Sequence, residues 1–156
     1  MMEGGARPGR QDNGAAQKLA HALALENETI LELPQYRNFM PSQATGDLLI
    51  ELVAASVQHA AHAATLLRLF GGETPEPASG NPAGGVFAST RVPSRSGARS
   101  LLQRQLERER LMARAYGSLS GMVNNATVKE ALARMEQEEQ GHAQALEDAL
   151  AAFGPT

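Results

Sequence analysis

The chain has no cysteine and no tryptophan, and only two tyrosines and four phenylalanines among its 156 residues. Without cysteine, disulfides, thiolate zinc sites, iron–sulfur clusters and a thiol nucleophile are all excluded. Any metal must be held through oxygen and nitrogen. No apolar run approaches the roughly 20 residues of a membrane span, and the N-terminal segment lacks the apolar core of a secretory signal. The expected setting is cytoplasmic, or a compartment reached by assembly. A formal net charge of −3 gives no general attraction to a polyanion, so neither nucleic acid nor a membrane is an expected partner. What is abundant is Ala and Leu, with few β-branched residues, which favours long helices over a sheet. The length suits one domain with a real core, and the expected fold class is all-α.

Helix start and stop signals divide the chain. Residues 1–12 are Gly, Arg and polar residues without periodicity, which predicts a disordered arm before a bundle over residues 13–153. Asn13 is the expected cap of a first helix reaching about Leu33, where Pro34 should kink or end it. A turn-like stretch around Pro41, Ser42, Thr45 and Gly46 precedes a second helix that stops at Gly71 and Gly72. Residues 72–94 are rich in Gly, Pro, Ser and Ala and read as a long linker. A third helix should start near Ser94 or Ser96 and fade after Gly121. Asn124 and Asn125 then make a tight turn, with Thr127 and Glu130 as a capping box for a fourth helix that ends before Gly154 and Pro155. About 23 linker residues can span the roughly 40 Å of a helix this long, so the second and third helices are free to run parallel, a known bundle topology with a crossover.

Each helix carries an apolar stripe alternating steps of three and four. The stripes run Leu19, Leu23, Glu26, Ile30, Leu33; Leu48, Leu52, Ala55, His59, His62, Leu66, Leu69; Leu102, Leu106, Glu109, Ala113, Tyr116; and Val128, Leu132, Met135, Glu139, His142, Leu146, Phe153. Glu26, His59, His62, Glu109, Glu139 and His142 interrupt them mid-helix. A carboxylate or imidazole on such a stripe loses its hydration on folding, which costs several kcal/mol unless a partner compensates it. Shared cations would compensate all of them, so these residues are the candidate metal ligands. Rotating the first helix by about 100° would instead turn Glu28 or Glu32 inward.

Numbering alone tests whether they converge. In an antiparallel hairpin, two residues are level when they are equally far from the turn. Glu26 and His62 have their midpoint at Ala44, inside the expected first turn, and Glu109 and His142 have theirs between Asn125 and Ala126. The pairs His59/His62 and Glu139/His142 are each three apart, hence on one helix face.

Two helices giving one carboxylate each and two giving a pair three apart resemble the ferritin-like superfamily of di-iron and di-manganese carboxylate proteins. Within it, "HAATLLRLFGG" from His62 is similar to the end of the second helix of the rubrerythrin and bacterioferritin branch, "EEQGHAQALEDAL" to its fourth, and Glu109 followed by Tyr116 to its third. The resemblance implies a four-helix bundle with a long crossover between helices two and three. It implies Glu26 and Glu109 as single carboxylates, Glu139 with His142 as a complete motif, two iron ions or else manganese or zinc, and chemistry with O2 or peroxide, or iron oxidation. His59 stands where that family has a bridging Glu. A neutral imidazole cannot bridge two cations, so a single metal or an unequal pair stays open.

Tyr116 on the inner face needs a polar partner and is the candidate catalytic side chain, with core packing as the alternative. His21 reads as a surface or subunit-contact residue. Gly141 suggests a close backbone approach or room for a ligand, Gly117 and Gly121 tight helix packing or fraying. The Arg104, Arg108, Arg110 and Arg114 stretch, interleaved with Glu107 and Glu109, reads as a solvated helix face. Apolar residues off the first stripe, Leu25 and Leu31, point to a homodimer, and an oxidoreductase of this kind without cysteine needs an external electron donor. The alternative function is a metal-free bundle serving as an assembly or interaction module.

Overall fold

The computed structural model describes residues 11–73 and 92–153. Most of the expected arm, residues 1–10, and the middle of the expected linker, residues 74–91, lie outside them. Among the described residues there are four long helices and no strand: α1 Gln11–Glu32, a 3-10 helix Leu33–Phe39, α2 Gln43–Leu69, α3 Arg95–Met122 and α4 Ala126–Ala152. Among the described residues no helix is long and apolar enough to cross a membrane.

The boundaries follow local chemistry. Helix α1 starts at Gln11, two residues before the expected start of the bundle, so Asn13 lies inside it rather than capping it. It ends as an α-helix at Glu32, and Pro34 sits in the first turn of the 3-10 helix, where its missing N–H is harmless. The connection to α2 is therefore partly helical. Ser42 caps α2 by accepting from Thr45 N at 3.2 Å. At the other end Gly71 adopts φ 72°, Gly71 N donates to Arg68 O and Gly72 N to Leu67 O, which together make a Schellman stop. Ser94 caps α3 through Gly97 N. Helix α4 is capped by Asn125, which accepts from Val128 N; the helix starts at Ala126, so Thr127 lies inside it and the expected Thr127 and Glu130 box is displaced by a cap two residues earlier.

Two apolar clusters fill the interior. One joins Leu19, Leu23 and Leu25 of α1, Ala63, Leu66 and Leu67 of α2, Met112, Tyr116 and Leu119 of α3, and Leu132 and Met135 of α4. The other joins Leu33, Leu49 and Leu52, Leu101 and Leu102, and Leu146. Leu25 is thus buried, not available for a subunit contact, whereas Leu31 is 69% exposed. Between the clusters every helix contributes a buried polar residue: Glu26, His59, Glu109 and Glu139. Salt bridges lock the helices around this layer. Arg104 and Arg108 reach Glu32, Arg108 also reaches Glu28, and Arg110 pairs with Glu147. The arginine stretch is therefore not a freely solvated face: Arg108 is largely buried and ties α3 to α1.

Candidate metal centre

Helix phase decides which acids and imidazoles turn inward. On α1 the buried positions include Leu19, Ala22, Leu23, Leu25, Glu26 and Thr29, so Glu26 faces in while Glu28 is exposed. On α2 they include Leu49, Leu52, Ser56, His59, Ala63, Leu66 and Leu67. The step after His59 is four residues, to Ala63, and not three. His62 is consequently exposed on the outside of α2, away from the other candidates, and Leu69 with it. This corrects the expectation that His62 joins the site: Leu48 and Leu49 are both apolar, and the stripe follows the second. On α3 Gln105, Glu109, Met112 and Tyr116 are buried, and on α4 Met135, Glu139 and Leu146, with His142 partly exposed.

Five side chains converge. Glu26, His59 and Glu139 form one trio, and Glu109, Glu139 and His142 a second; within each trio the donor atoms lie within 4.8 Å of one another. Glu139 belongs to both. Its Oε1 is 2.5 Å from His59 Nδ1, and its Oε2 is 3.4 Å from His142 Nδ1. Glu26 Oε1 lies 3.4 Å from His59 Nδ1, and Glu109 Oε2 lies 3.3 Å from His142 Nδ1. The two carboxylates outside the shared one each sit beside their own imidazole, Glu26 beside His59 and Glu109 beside His142, and each of those imidazoles meets a different oxygen of Glu139.

A second layer orients these groups. The Tyr116 hydroxyl donates to Glu26 Oε1 at 2.7 Å, so its polar partner is a candidate ligand. Burial, and then the charge of Glu26, holds that hydroxyl far above the ordinary tyrosine range, so it stays a donor. Glu138, half exposed, sits 2.7 Å from His59 Nε2. Gln105 donates to Glu109 Oε1 at 2.6 Å. The sequence stripes did not single out Glu138 or Gln105. Glu138 projects from the outer side of α4, but Gln105 lies one turn before Glu109 on the buried stripe and was recognisable by that spacing.

The electrostatics describe a site that gathers protons when no cation is present. Burial alone would lower the His59 pKa, but hydrogen bonds to Glu139, Glu26 and Glu138 outweigh it and hold it at about 11. His142, similarly desolvated and then held by Glu109 and Glu139, is raised to about 9. Burial pushes Glu109 up to about 8 despite its contact with His142. For Glu139 burial works upward too, yet hydrogen bonds from His142 and His59 win and keep its carboxyl below the usual range. Even so, Glu26 Oε2 and Glu109 Oε2 are buried without a hydrogen-bond partner; His142 Nδ1 approaches Glu109 Oε2 to 3.3 Å without hydrogen-bond alignment. Such atoms forfeit the hydration they had in the unfolded chain, a penalty of about 1–3 kcal/mol each, more when charged.

One feature expected from sequence, Gly141, has no role at the centre. Gly141 is exposed, and a Cβ there would meet nothing within 4 Å. It provides neither close approach nor ligand space. Gly141→Ala should therefore stabilise the metal-free protein by about 0.5–1 kcal/mol through helix propensity alone, seen as a higher unfolding midpoint, with metal uptake unchanged. Gly117 does pack closely, against the Glu136 carboxylate, while Gly121 faces open space. A paired substitution checks the phase of α2: His62→Ala should leave stability within about 0.5 kcal/mol and metal uptake intact, whereas His59→Ala should remove the first trio's imidazole and its uptake. Loss of uptake in His62→Ala would overturn this placement.

Comparison of the chain with protein-family models, with curated proteins and with solved structures finds no match. A buried Glu/His cluster among four helices is compatible with a ferritin-like bundle.

Proposed function

We propose that this chain is a dinuclear metal protein of ferritin-like architecture, in which Glu26, His59, Glu109, Glu139 and His142 hold two divalent ions, with iron the leading candidate and manganese or zinc compatible with the same donors. The observation that carries the reading is the shared position of Glu139 between two trios, each of which also contains a buried carboxylate oxygen with no partner. A carboxylate with one oxygen toward each of two sites is suited to bridging. The donor set fits as well: three carboxylates and two neutral imidazoles offset three of the four charges of two divalent ions, and mixed O and N donors suit first-row metals. His59, which replaces a carboxylate in the resemblance, serves here as the imidazole of the first trio through Nδ1, and His62 is left out. The bundle therefore offers five ligands in a near-symmetric arrangement.

Bound iron would supply the electrons for reaction with O2 or peroxide, or would itself be the species oxidised. The residues do the rest. Glu138 accepts from His59 Nε2, which fixes the tautomer that presents Nδ1 to the first trio. Tyr116 holds Glu26 Oε1 from the apolar side and is placed to orient that ligand. Burial of Glu26, Glu109 and Glu139 to 1% exposure or less excludes bulk water, and the partly exposed His142 and Glu138 mark the side from which small reactants reach the site. The same proposal includes a crossover between α2 and α3 through residues 72–94, since both helices place their N-terminal halves in one apolar cluster and their C-terminal halves in the other. Pairing into a homodimer is part of it too, with exposed Leu31, Ile50 and Val57 as apolar surface to cover.

Anaerobic loading with Fe2+ followed by exposure to O2 tests the activity. The expected result is two iron ions retained per chain and ferric absorbance appearing faster than for Fe2+ in buffer. Retention of no iron, or oxidation at the buffer rate, would refute the redox reading.

A further inference from the structure

Two fully buried polar residues beside the centre belong to no trio. Thr29 on α1 and Gln105 on α3 are each 0% exposed, on stripes where Leu or Ala would pack without a desolvation penalty. Their hydrogen bonds form one connected network. Gln105 Nε2 donates to Glu109 Oε1 at 2.6 Å and to Thr29 Oγ1 at 2.9 Å. Thr29 Oγ1 in turn lies 3.1 Å from Leu25 O, one turn back in its own helix, and 3.3 Å from Gln105 Oε1. Arg108 Nη1 donates to Gln105 Oε1 at 3.1 Å, and Arg108 is itself fixed by Glu32 at 2.6 Å and Glu28 at 3.2 Å. Every donor and acceptor of the Gln105 amide is thus assigned a direction. A guanidinium can only donate, so it forces the amide oxygen toward itself and the amide nitrogen toward Glu109.

The consequence falls on Glu109. With Oε1 taken by the amide, its other oxygen is the buried, unpartnered one that faces His142. Glu26 has the same division, Oε1 engaged by Tyr116 and Oε2 unpartnered. The two terminal carboxylates are held by different donors, however: a hydroxyl for one, and an amide anchored to a largely buried Arg108–Glu32 ion pair for the other.

We propose that Gln105 is a positioning residue that makes Glu109 a one-oxygen terminal ligand of the trio it forms with Glu139 and His142, and that Arg108 sets the direction in which the Gln105 amide faces. This rests on the reading of the five residues as a metal centre. It also makes the two subsites separately adjustable, because the network touches Glu109 and not Glu26. Loss of an outer-shell partner of this kind weakens metal binding by about 10- to 100-fold.

The test is a Co2+ titration of the full chain followed by visible absorption, which reads coordination geometry and resolves two binding steps. Gln105→Met keeps length and burial but removes the donor. It is expected to weaken one of the two steps by about 10- to 100-fold and change that step's absorption, leaving the other step as in the unaltered protein. Arg108→Met should weaken the same step by a smaller factor, and it supplies the answer if Gln105→Met does not fold. If the unaltered protein binds two Co2+ and both variants do too with unchanged affinities, or if both steps weaken in parallel as general destabilisation would produce, the positioning role is overturned while the metal centre stands. If the unaltered protein binds no Co2+, both fall together.

Discussion

Glu139→Gln should reduce metal uptake from two ions per chain to one weakly held ion or none. Glutamine has the same shape and keeps an acceptor oxygen for His59, but its amide nitrogen cannot ligate a cation, and the residue can no longer supply an anionic oxygen to each trio. Because Glu139 is the one member common to both trios, both ions lose a ligand at once. The loss should exceed the roughly 10- to 100-fold that follows removal of an outer-shell partner. The metal-free protein should also be less stable, by on the order of 3 kcal/mol, since two imidazoles lose a buried counter-charge. Helix content should persist, because His59 keeps Glu26 and Glu138 and His142 keeps Glu109. Circular dichroism together with elemental analysis of dialysed protein measures both effects. Two tightly held ions in this variant would show that Glu139 does not bridge.

Metal uptake should strengthen steeply with pH across the neutral range. In the metal-free protein His59 and His142 titrate at about 11 and about 9, and Glu109 at about 8. At pH 7 all three hold a proton that a metal must displace. Raising the pH removes those protons, so affinity rises, by up to about tenfold per pH unit for each proton released. Below about pH 6 the ions should be lost. The sign for the stability of the metal-free fold is the reverse: imidazoles raised above their ordinary 6.5 contribute stability that is complete below 6.5 and disappears as pH climbs through about 9 and about 11. Zn2+ titration calorimetry in buffers of different ionisation enthalpy counts the protons. A pH-independent affinity would contradict the proton-loaded site.

The part of this architecture legible in the sequence was the part with a single possible phase. Helices α3 and α4 alternate apolar and charged residues sharply and are joined by three residues, so Glu109, Glu139 and His142 could be placed together by counting from the turn. Helix α2 is different. Ala, Val and Leu occur on several of its faces, including exposed Ile50 and Val57, so its periodicity alone admits more than one inward stripe. The level test did not separate them either. Glu26 with His62 centres on Ala44, and Glu26 with His59 centres between Ser42 and Gln43, both at the start of α2 beside the connection. The 3-10 helix Leu33–Phe39 inserted there also shifts the register by an amount that sequence spacing does not reveal. Thr29 and Glu138 were missed for another reason: an uncharged polar residue on a stripe, or an acid beside one, breaks the apolar pattern too gently to stand out, whereas Gln105 is marked by its one-turn spacing from Glu109; the hydrogen bonds these residues make decide how a ligand is held.

The most direct test of the dinuclear centre is anomalous X-ray diffraction from crystals of the chain soaked with Mn2+ or grown with Fe2+. Two anomalous peaks per chain are expected, about 3.5–4 Å apart as in two-metal sites generally, with Glu139 between them, Glu26 and His59 on one and Glu109 and His142 on the other, and His62 on neither. No peak among these five side chains, with their carboxylates and imidazoles paired only to one another, would contradict it and leave a metal-free bundle held by a buried hydrogen-bond network.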